Sequence, residues 1–230
     1  MFKDRQDAGR HLAEAFKHYA GEDVLVLAIP RGGIPVAIEV AGRLDAALSV
    51  LVSRKLPLPD DPEAGFGAIA EDGSVYVAPW AAHLLDSDTI DWIMREQRDE
   101  IHRRIAVLRR GKPLPDLKGK SVLLVDDGIA AGSTMRASIQ CCRNLGAHRV
   151  VVGAPVTSAD VRSALAELVD EIAVLETPMW FRAVAQAYQV WHDVSDQEAV
   201  KALDVWERSR VRKRMSLQAH VTGQLHEAKS

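Results

Sequence analysis

The residues best suited to chemistry lie in one continuous stretch, residues 122–134, which reads VLLVDDGIAAGST. Four apolar residues predict a buried strand, and two carboxylates, Asp126 and Asp127, follow at its carboxyl end. A loop of small residues then leads into a helix whose first turn carries Ser133 and Thr134. Because ligands bind outside the carboxyl ends of parallel strands, this stretch predicts a binding site.

Each part of this stretch has a chemical use. A loop without bulky side chains lets a phosphate approach backbone N–H groups, and a helix N-terminus adds about half a positive charge. Adjacent carboxylates repel each other unless hydroxyl donors or a hydrated Mg²⁺ ion compensate their negative charge. A phosphate at the loop and a diol at the acid pair together describe a ribose 5-phosphate.

The stretch resembles the motif with which type I phosphoribosyltransferases bind 5-phosphoribosyl-1-pyrophosphate (PRPP). The resemblance implies that Asp126 and Asp127 are catalytic, hold the ribose hydroxyls and orient Mg²⁺-pyrophosphate, directly or through water. It also implies a binding loop for the 5′-phosphate. The residues of that loop are Ala130, Ala131, Gly132, Ser133 and Thr134.

Two positions depart from the pattern of the family. Many members have Thr where this chain has Ala131, which removes one hydroxyl donor. Hypoxanthine-guanine members have an acid, thought to act on the purine, where this chain has Ala130, so that route of base activation is absent. The Ala131 difference gives weight to an alternative function, a PRPP or nucleotide sensor that binds without transfer.

Two further segments resemble pyrophosphate-binding parts of the family. Residues 30–33 (PRGG) end an apolar strand and open a helix, and strained or cis peptides are plausible there. Arg31 could pair with the departing pyrophosphate in a bidentate fork and is therefore also predicted to be catalytic. The structural alternative for residues 30–33 is a tight strand-to-helix turn. The second segment, residues 53–55 (SRK), ends a predicted strand, and its structural alternative is a solvated strand end. The residues predicted to meet pyrophosphate are Arg31, Gly32, Gly33, Arg54 and Lys55.

The resemblance extends to a segment that covers the site. Residues 66–73 (FGAIAEDG) resemble a hood segment in a group of uncharacterised predicted phosphoribosyltransferases. Residues 177–181 (TPMWF) could supply an aromatic face for a base, although buried core aromatics are the alternative. The residues predicted to meet the acceptor are Phe66, Trp180 and Phe181.

Apolar runs alternate with helical patterns, which predicts an α/β fold with a doubly wound, mostly parallel sheet, a small hood hairpin and a C-terminal helix. Predicted strands cover residues 24–29, 48–53, 122–125, 149–154 and 172–175, with the hairpin at 67–70 and 75–78. Predicted helices cover residues 4–20, 34–44, 86–110, 133–145 and 159–169. We predict a transferase-like domain over residues 1–195, with a hood and flexible region at 56–118, and a C-terminal helix and tail at 196–230.

Composition narrows the classes of partner. A net charge of −3 and a pI near 6.2 argue against a nucleic-acid or membrane-surface binder. No apolar run approaches the roughly 20 residues of a membrane span. The adjacent Cys141 and Cys142 are interpreted as reduced thiols of a cytoplasmic protein. The resemblance to type I phosphoribosyltransferases implies a PRPP-dependent, Mg²⁺-assisted transferase of nucleotide metabolism with a base or amine acceptor, and it allows a homodimer.

Overall fold

Eight strands and six helices make up the protein, which a computed structural model describes over residues 1–62 and 64–227. The strands are β1 (Val24–Ala28), β2 (Ala47–Val50), β3 (Ser53–Pro57), β4 (Gly65–Ala70), β5 (Val75–Val77), β6 (Ser121–Val125), β7 (Arg149–Val156) and β8 (Glu171–Glu176). The helices are α1 (Arg5–Ala15), α2 (Gly33–Leu44), α3 (Ser87–Leu108), α4 (Ser133–Asn144), α5 (Ala159–Ala166) and α6 (Asp196–Glu227). Short 3-10 helices lie at Lys17–Tyr19, Ala81–His83 and Val184–Ala187.

The central sheet has five parallel strands in the order β2-β1-β6-β7-β8. Its middle strands are apolar and buried, as expected for strands that helices cover on both faces. The chain order reverses between β1 and β6, and an α/β sheet of this kind binds its ligand at that point. The register pairs Ala28 with Val125, so the residues that follow these two strands begin side by side. The predicted doubly wound fold is confirmed.

A second, antiparallel sheet in the order β3-β4-β5 forms the hood. Its hairpin confirms the sequence prediction, but the prediction of one strand over residues 48–53 is wrong. The backbone N–H of Leu51 still donates to Ala28 in the central sheet, whereas the N–H of Val52 donates to the side chain of Glu71. That change of partner ends β2 and starts β3, so Arg54 and Lys55 lie within a hood strand.

The C-terminal helix α6 begins with a capping box. The Ser195 hydroxyl accepts the backbone N–H of Glu198, and the Glu198 carboxylate accepts the backbone N–H of Ser195. The helix packs against α2 and α3. The predicted C-terminal helix is thus confirmed, and residues 228–230 of the predicted tail lie outside the described residues. Within the described part of the chain, no helix combines the length and apolarity that crossing a bilayer requires.

Candidate active site

The loop at residues 30–33 lies directly against the acid pair. A Cβ atom on Gly32 would stand 1.9 Å from Oδ2 of Asp127, and one on Gly33 would stand 2.7 Å from the carbonyl oxygen of Val125. Only glycine fits at such distances without displacement of the neighbouring atoms. The peptide bond between Pro30 and Arg31 is cis. The structure therefore brings the PRGG loop and the two aspartates to one rim of the sheet.

The small-residue loop after the acid pair leads into α4. Gly132 precedes this helix with a φ of +80°, and it has no side chain with which to bond the first helical amides. Those amides and the helix dipole favour an anion at this point. Ala130 and Ala131 are exposed, and Ser133 and Thr134 are partly exposed. All five residues predicted to bind the 5′-phosphate therefore lie together at the start of α4.

The buried Arg5 of α1 also belongs to this rim, and the sequence motifs did not indicate it. Its Nε donates to Oδ2 of Asp127 at 2.7 Å, and its Nη1 donates to the carbonyl oxygen of His192 at 2.8 Å. The guanidinium carbon lies 3.9 Å from the centre of the Trp191 ring, within cation–π range. The Tyr188 hydroxyl completes the support by donating to the backbone oxygen of Asp127 at 2.6 Å.

One pattern in the sequence could have indicated that Arg5 is buried. Arg5, Ala8 and Leu12 follow the spacing i, i+3, i+7, which puts the arginine on the buried stripe of α1. A charged residue on an apolar stripe needs a buried partner of opposite charge. The sequence does not show which acid that partner is, because Asp127 lies 122 positions away.

The two aspartates have different surroundings. Burial raises the pKa of Asp126 well above its usual range, and the neighbouring charge of Asp127 raises it further. Burial also raises the pKa of Asp127, but the guanidinium of Arg5 opposes that effect. Arg5 thus holds Oδ2 of Asp127 and favours its ionised form. Asp126 is partly exposed, and its Oδ1 accepts the backbone N–H of Asp127 at 2.9 Å.

The arginines predicted to meet pyrophosphate lie near each other and near α3. Burial lowers the pKa of Arg54, and the charges of Arg104, Arg31 and Arg103 act in the same direction. Nε of Arg54 also donates to Oε1 of Gln97 at 3.1 Å. The structure therefore gathers four guanidinium groups from the PRGG loop, the hood and α3.

The remaining predicted site residues have separate positions. Lys55 is on the face of β3 opposite to Arg54, because successive strand residues alternate, and its stem lies beside Gly65. Phe66 is 0% exposed in the main core, so it offers no ring face and is a core residue rather than an acceptor contact. Trp180 is 81% exposed after β8, and Phe181 packs partly against the cluster around Tyr188.

A groove of about 440 Å³ lies between β2, the end of α3 and α6. Its walls include Leu48, Leu108 and Trp206, and they contain none of the residues predicted for the site. Asp126, Asp127 and the PRGG loop lie instead at the open rim where β1 and β6 end, and we place the candidate active site there.

Comparison with known proteins agrees with this geometry. The family described as phosphoribosyl transferase domain matches residues 3–187. The solved structure of a Thermus thermophilus protein, TT1426, is 37% identical, covers 90% of this chain and 99% of its own, and superposes with a TM-score of 0.75.

Two curated relatives match over different lengths. The "Putative phosphoribosyl transferase Rv0571c" of Mycobacterium tuberculosis is 44% identical over 207 residues, which cover 89% of this chain and 46% of the relative. This chain thus spans about half the length of that relative. A ribose-phosphate pyrophosphokinase of Pyrococcus furiosus is 44% identical over 64 residues, 27% of this chain and 23% of its own. From the family match and the shared structure, the chain belongs to the phosphoribosyl transferase domain family.

Proposed function

We propose that the protein transfers the 5-phosphoribosyl group of PRPP to a small-molecule acceptor, a base or an amine, and releases pyrophosphate. The observation that carries this proposal is the shared rim, where the PRGG loop lies against Asp126 and Asp127 and the open start of α4 follows the same strand. The names of the two curated relatives, which concern phosphoribosyl transfer and ribose-phosphate pyrophosphorylation, support a phosphorylated pentose as the ligand.

The proposed roles follow from position. The first amides of α4 and the hydroxyls of Ser133 and Thr134 bind the 5′-phosphate. Asp126 accepts hydrogen bonds from the ribose hydroxyls. The bond between the anomeric carbon and the pyrophosphate oxygen breaks while a bond from the acceptor nitrogen forms. Arg31 and Arg54 stabilise the negative charge that develops on the departing pyrophosphate.

The donor set of the rim fits Mg²⁺. Asp126 and Asp127 are two adjacent carboxylates, of which Arg5 bonds Oδ2 of Asp127, and Mg²⁺ sites often use one or two carboxylates together with water and substrate phosphates. Bound there, the ion would neutralise charge on the pyrophosphate. Among the described residues, no group of three or more His, Cys, Asp or Glu side chains gathers to form an all-protein metal site.

We place the acceptor near the segment that follows β8. A Cβ atom on Gly128 would stand 2.4 Å from Cγ1 of Val184, so this segment passes close to the acid pair. The exposed indole of Trp180 offers a flat face to a base. An alanine at position 130 provides no acid to activate that base, so we expect an acceptor whose nucleophilic nitrogen needs no such help.

The test is to incubate the protein with PRPP, Mg²⁺ and a panel of bases and amines, and to measure pyrophosphate. We expect Asp126→Asn alone to lower turnover by a factor of about 10² or more, and the double change Asp126→Asn with Asp127→Asn to abolish it. The matched control is Asp60→Asn with Asp61→Asn, an adjacent acid pair in an exposed turn. Full turnover in the Asp126 variants would remove the acid pair from the mechanism.

A PRPP sensor is the second candidate. The exposed Ala131 lacks the hydroxyl that many members use at the phosphate loop, and this difference favours binding without transfer. Calorimetric binding of PRPP, together with no pyrophosphate release for any acceptor in the panel, would support the sensor over the enzyme.

A further inference from the structure

The first residue of α6, Asp196, bridges two arginines from separate parts of the chain. Nη1 of Arg31 donates to its Oδ1 at 3.0 Å, and Nη1 of Arg103 donates to its Oδ2 at 2.7 Å. The hydrogen bond from Arg103, and to a smaller extent the one from Arg31, lowers the pKa of Asp196. Asp196 therefore stays ionised. One carboxylate thus links the PRGG loop to α3, with one oxygen for each guanidinium.

The other arginines of this cluster share a second carboxylate. Glu100 accepts two hydrogen bonds from Arg103, at 2.7 and 2.9 Å, and one from Nε of Arg104 at 2.8 Å. The Arg104 bond uses Nε, so its two terminal nitrogens remain able to donate. With Arg54 close by, four guanidinium groups face two carboxylates. The cluster therefore has a surplus of positive charge, which suits a polyanion.

The helix does not need Asp196 in order to begin. The capping box of Ser195 and Glu198 already satisfies its first turn. Further along, Trp206 packs against the main core, and Arg210 pairs with Asp45 after α2. The side chain of Asp196 can therefore turn away from the arginines while α6 stays in place.

We propose that Asp196 is an internal anion that holds the pyrophosphate-binding arginines until a pyrophosphate group displaces it, and that Arg103 and Arg104 then bind pyrophosphate beside Arg31 and Arg54. The inference rests on the pyrophosphate site of the proposed function. A pyrophosphate carries more charge and more acceptor oxygens than one carboxylate, so the exchange is favourable when ligand is present. Without ligand, Asp196 offsets the repulsion among the guanidinium groups.

The test is calorimetric titration of the full chain with inorganic pyrophosphate in the presence of Mg²⁺. We expect Asp196→Asn to lower the Kd about fivefold, the upper range for a competing pair that is partly exposed. We expect Arg103→Gln and Arg104→Gln each to raise it. Asp204→Asn is the matched control, because it removes the same charge from the same helix at a residue that pairs with Arg110 outside the cluster.

Each outcome separates this inference from the proposed function. Unchanged or weaker pyrophosphate binding by Asp196→Asn overturns the inference, and so does an equal gain in Asp204→Asn, which would show a general effect of charge. Failure of both the unaltered protein and Asp196→Asn to bind pyrophosphate also overturns it. If pyrophosphate binding follows the expected order but no acceptor is ribosylated, the transfer reaction fails and the role of Asp196 stands.

Discussion

Arg5 and Arg31 each pair with an aspartate beside the loop at residues 30–33, but their surroundings differ. The side chains of Arg5 and Asp127 are 7% and 13% exposed, whereas those of Arg31 and Asp196 are 30% and 25% exposed. Breaking a buried pair leaves an uncompensated charge and costs about 3–5 kcal/mol, while a surface pair typically contributes about 0–1 kcal/mol. We infer that the Arg5 pair fixes the geometry of the rim and that the Arg31 pair is exchangeable.

The largest effect on stability is expected for Arg5→Met. This change leaves the carboxylate of Asp127 buried without its partner, so the free energy of unfolding should fall by about 3–5 kcal/mol. Unfolding in guanidinium chloride, followed by circular dichroism, measures it.

A double-mutant cycle separates the ion pair from lost packing around the arginine. Arg5→Met combined with Asp127→Asn should lose less than the sum of the two single changes, because the double variant leaves no buried charge unpaired. Strict additivity, or a loss below about 1 kcal/mol for Arg5→Met alone, would show that the pair does not fix the rim.

Gly32→Ala is expected to have the next largest effect. The new Cβ atom would meet Oδ2 of Asp127, the same atom that Arg5 holds, so the carboxylate cannot move without losing its partner. Overpacking of this kind costs about 1–3 kcal/mol of stability, and we also expect PRPP binding to be lost. Chemical unfolding and calorimetry with PRPP measure the two effects.

The control for this change is Gly42→Ala, near the C-terminal end of α2, the helix that Gly32 directly precedes. A Cβ atom there has its nearest contact 3.6 Å away, on the ring of Trp206, which is an ordinary distance. Alanine in a helix is favoured over glycine by about 0.5–1 kcal/mol, so this variant should gain stability. Similar losses in both variants would mean that helix α2 tolerates no added methyl group, and the close approach to Asp127 would not be the cause.

The parts of the site that depend on a local sequence pattern could be predicted from the sequence. Asp126, Asp127 and the loop up to Thr134 are contiguous, and an apolar strand followed by small residues is enough to place them at a strand end. Contacts between distant parts of the chain could not be predicted from the sequence. Asp196 meets Arg31 from 165 positions away, and no spacing encodes that pairing.

The errors in the hood have a similar cause. Phe66 was predicted to face an acceptor because it lies in a segment that resembles a hood. Its side chain is instead enclosed by the main core, and the strand pattern cannot show which face of a small sheet packs inward. The boundary between β2 and β3 was missed for a related reason, since it depends on the side chain of Glu71, 19 positions beyond Val52.

The smallest effect on stability is expected for Asp196→Asn, which tests whether the Arg31–Asp196 pair is exchangeable. The capping box keeps the start of α6, and removal of one partly exposed carboxylate should shift the thermal midpoint Tm by no more than about 4 °C in a chain of this size. Calorimetric scans with and without pyrophosphate measure this shift. Pyrophosphate should raise Tm more in the variant than in the unaltered protein, because the stabilisation by a ligand, RT ln(1 + [L]/Kd), grows as Kd falls. A loss of stability as large as that of Arg5→Met would instead show that Asp196 stabilises the fold. Both arginine–aspartate pairs would then be structural.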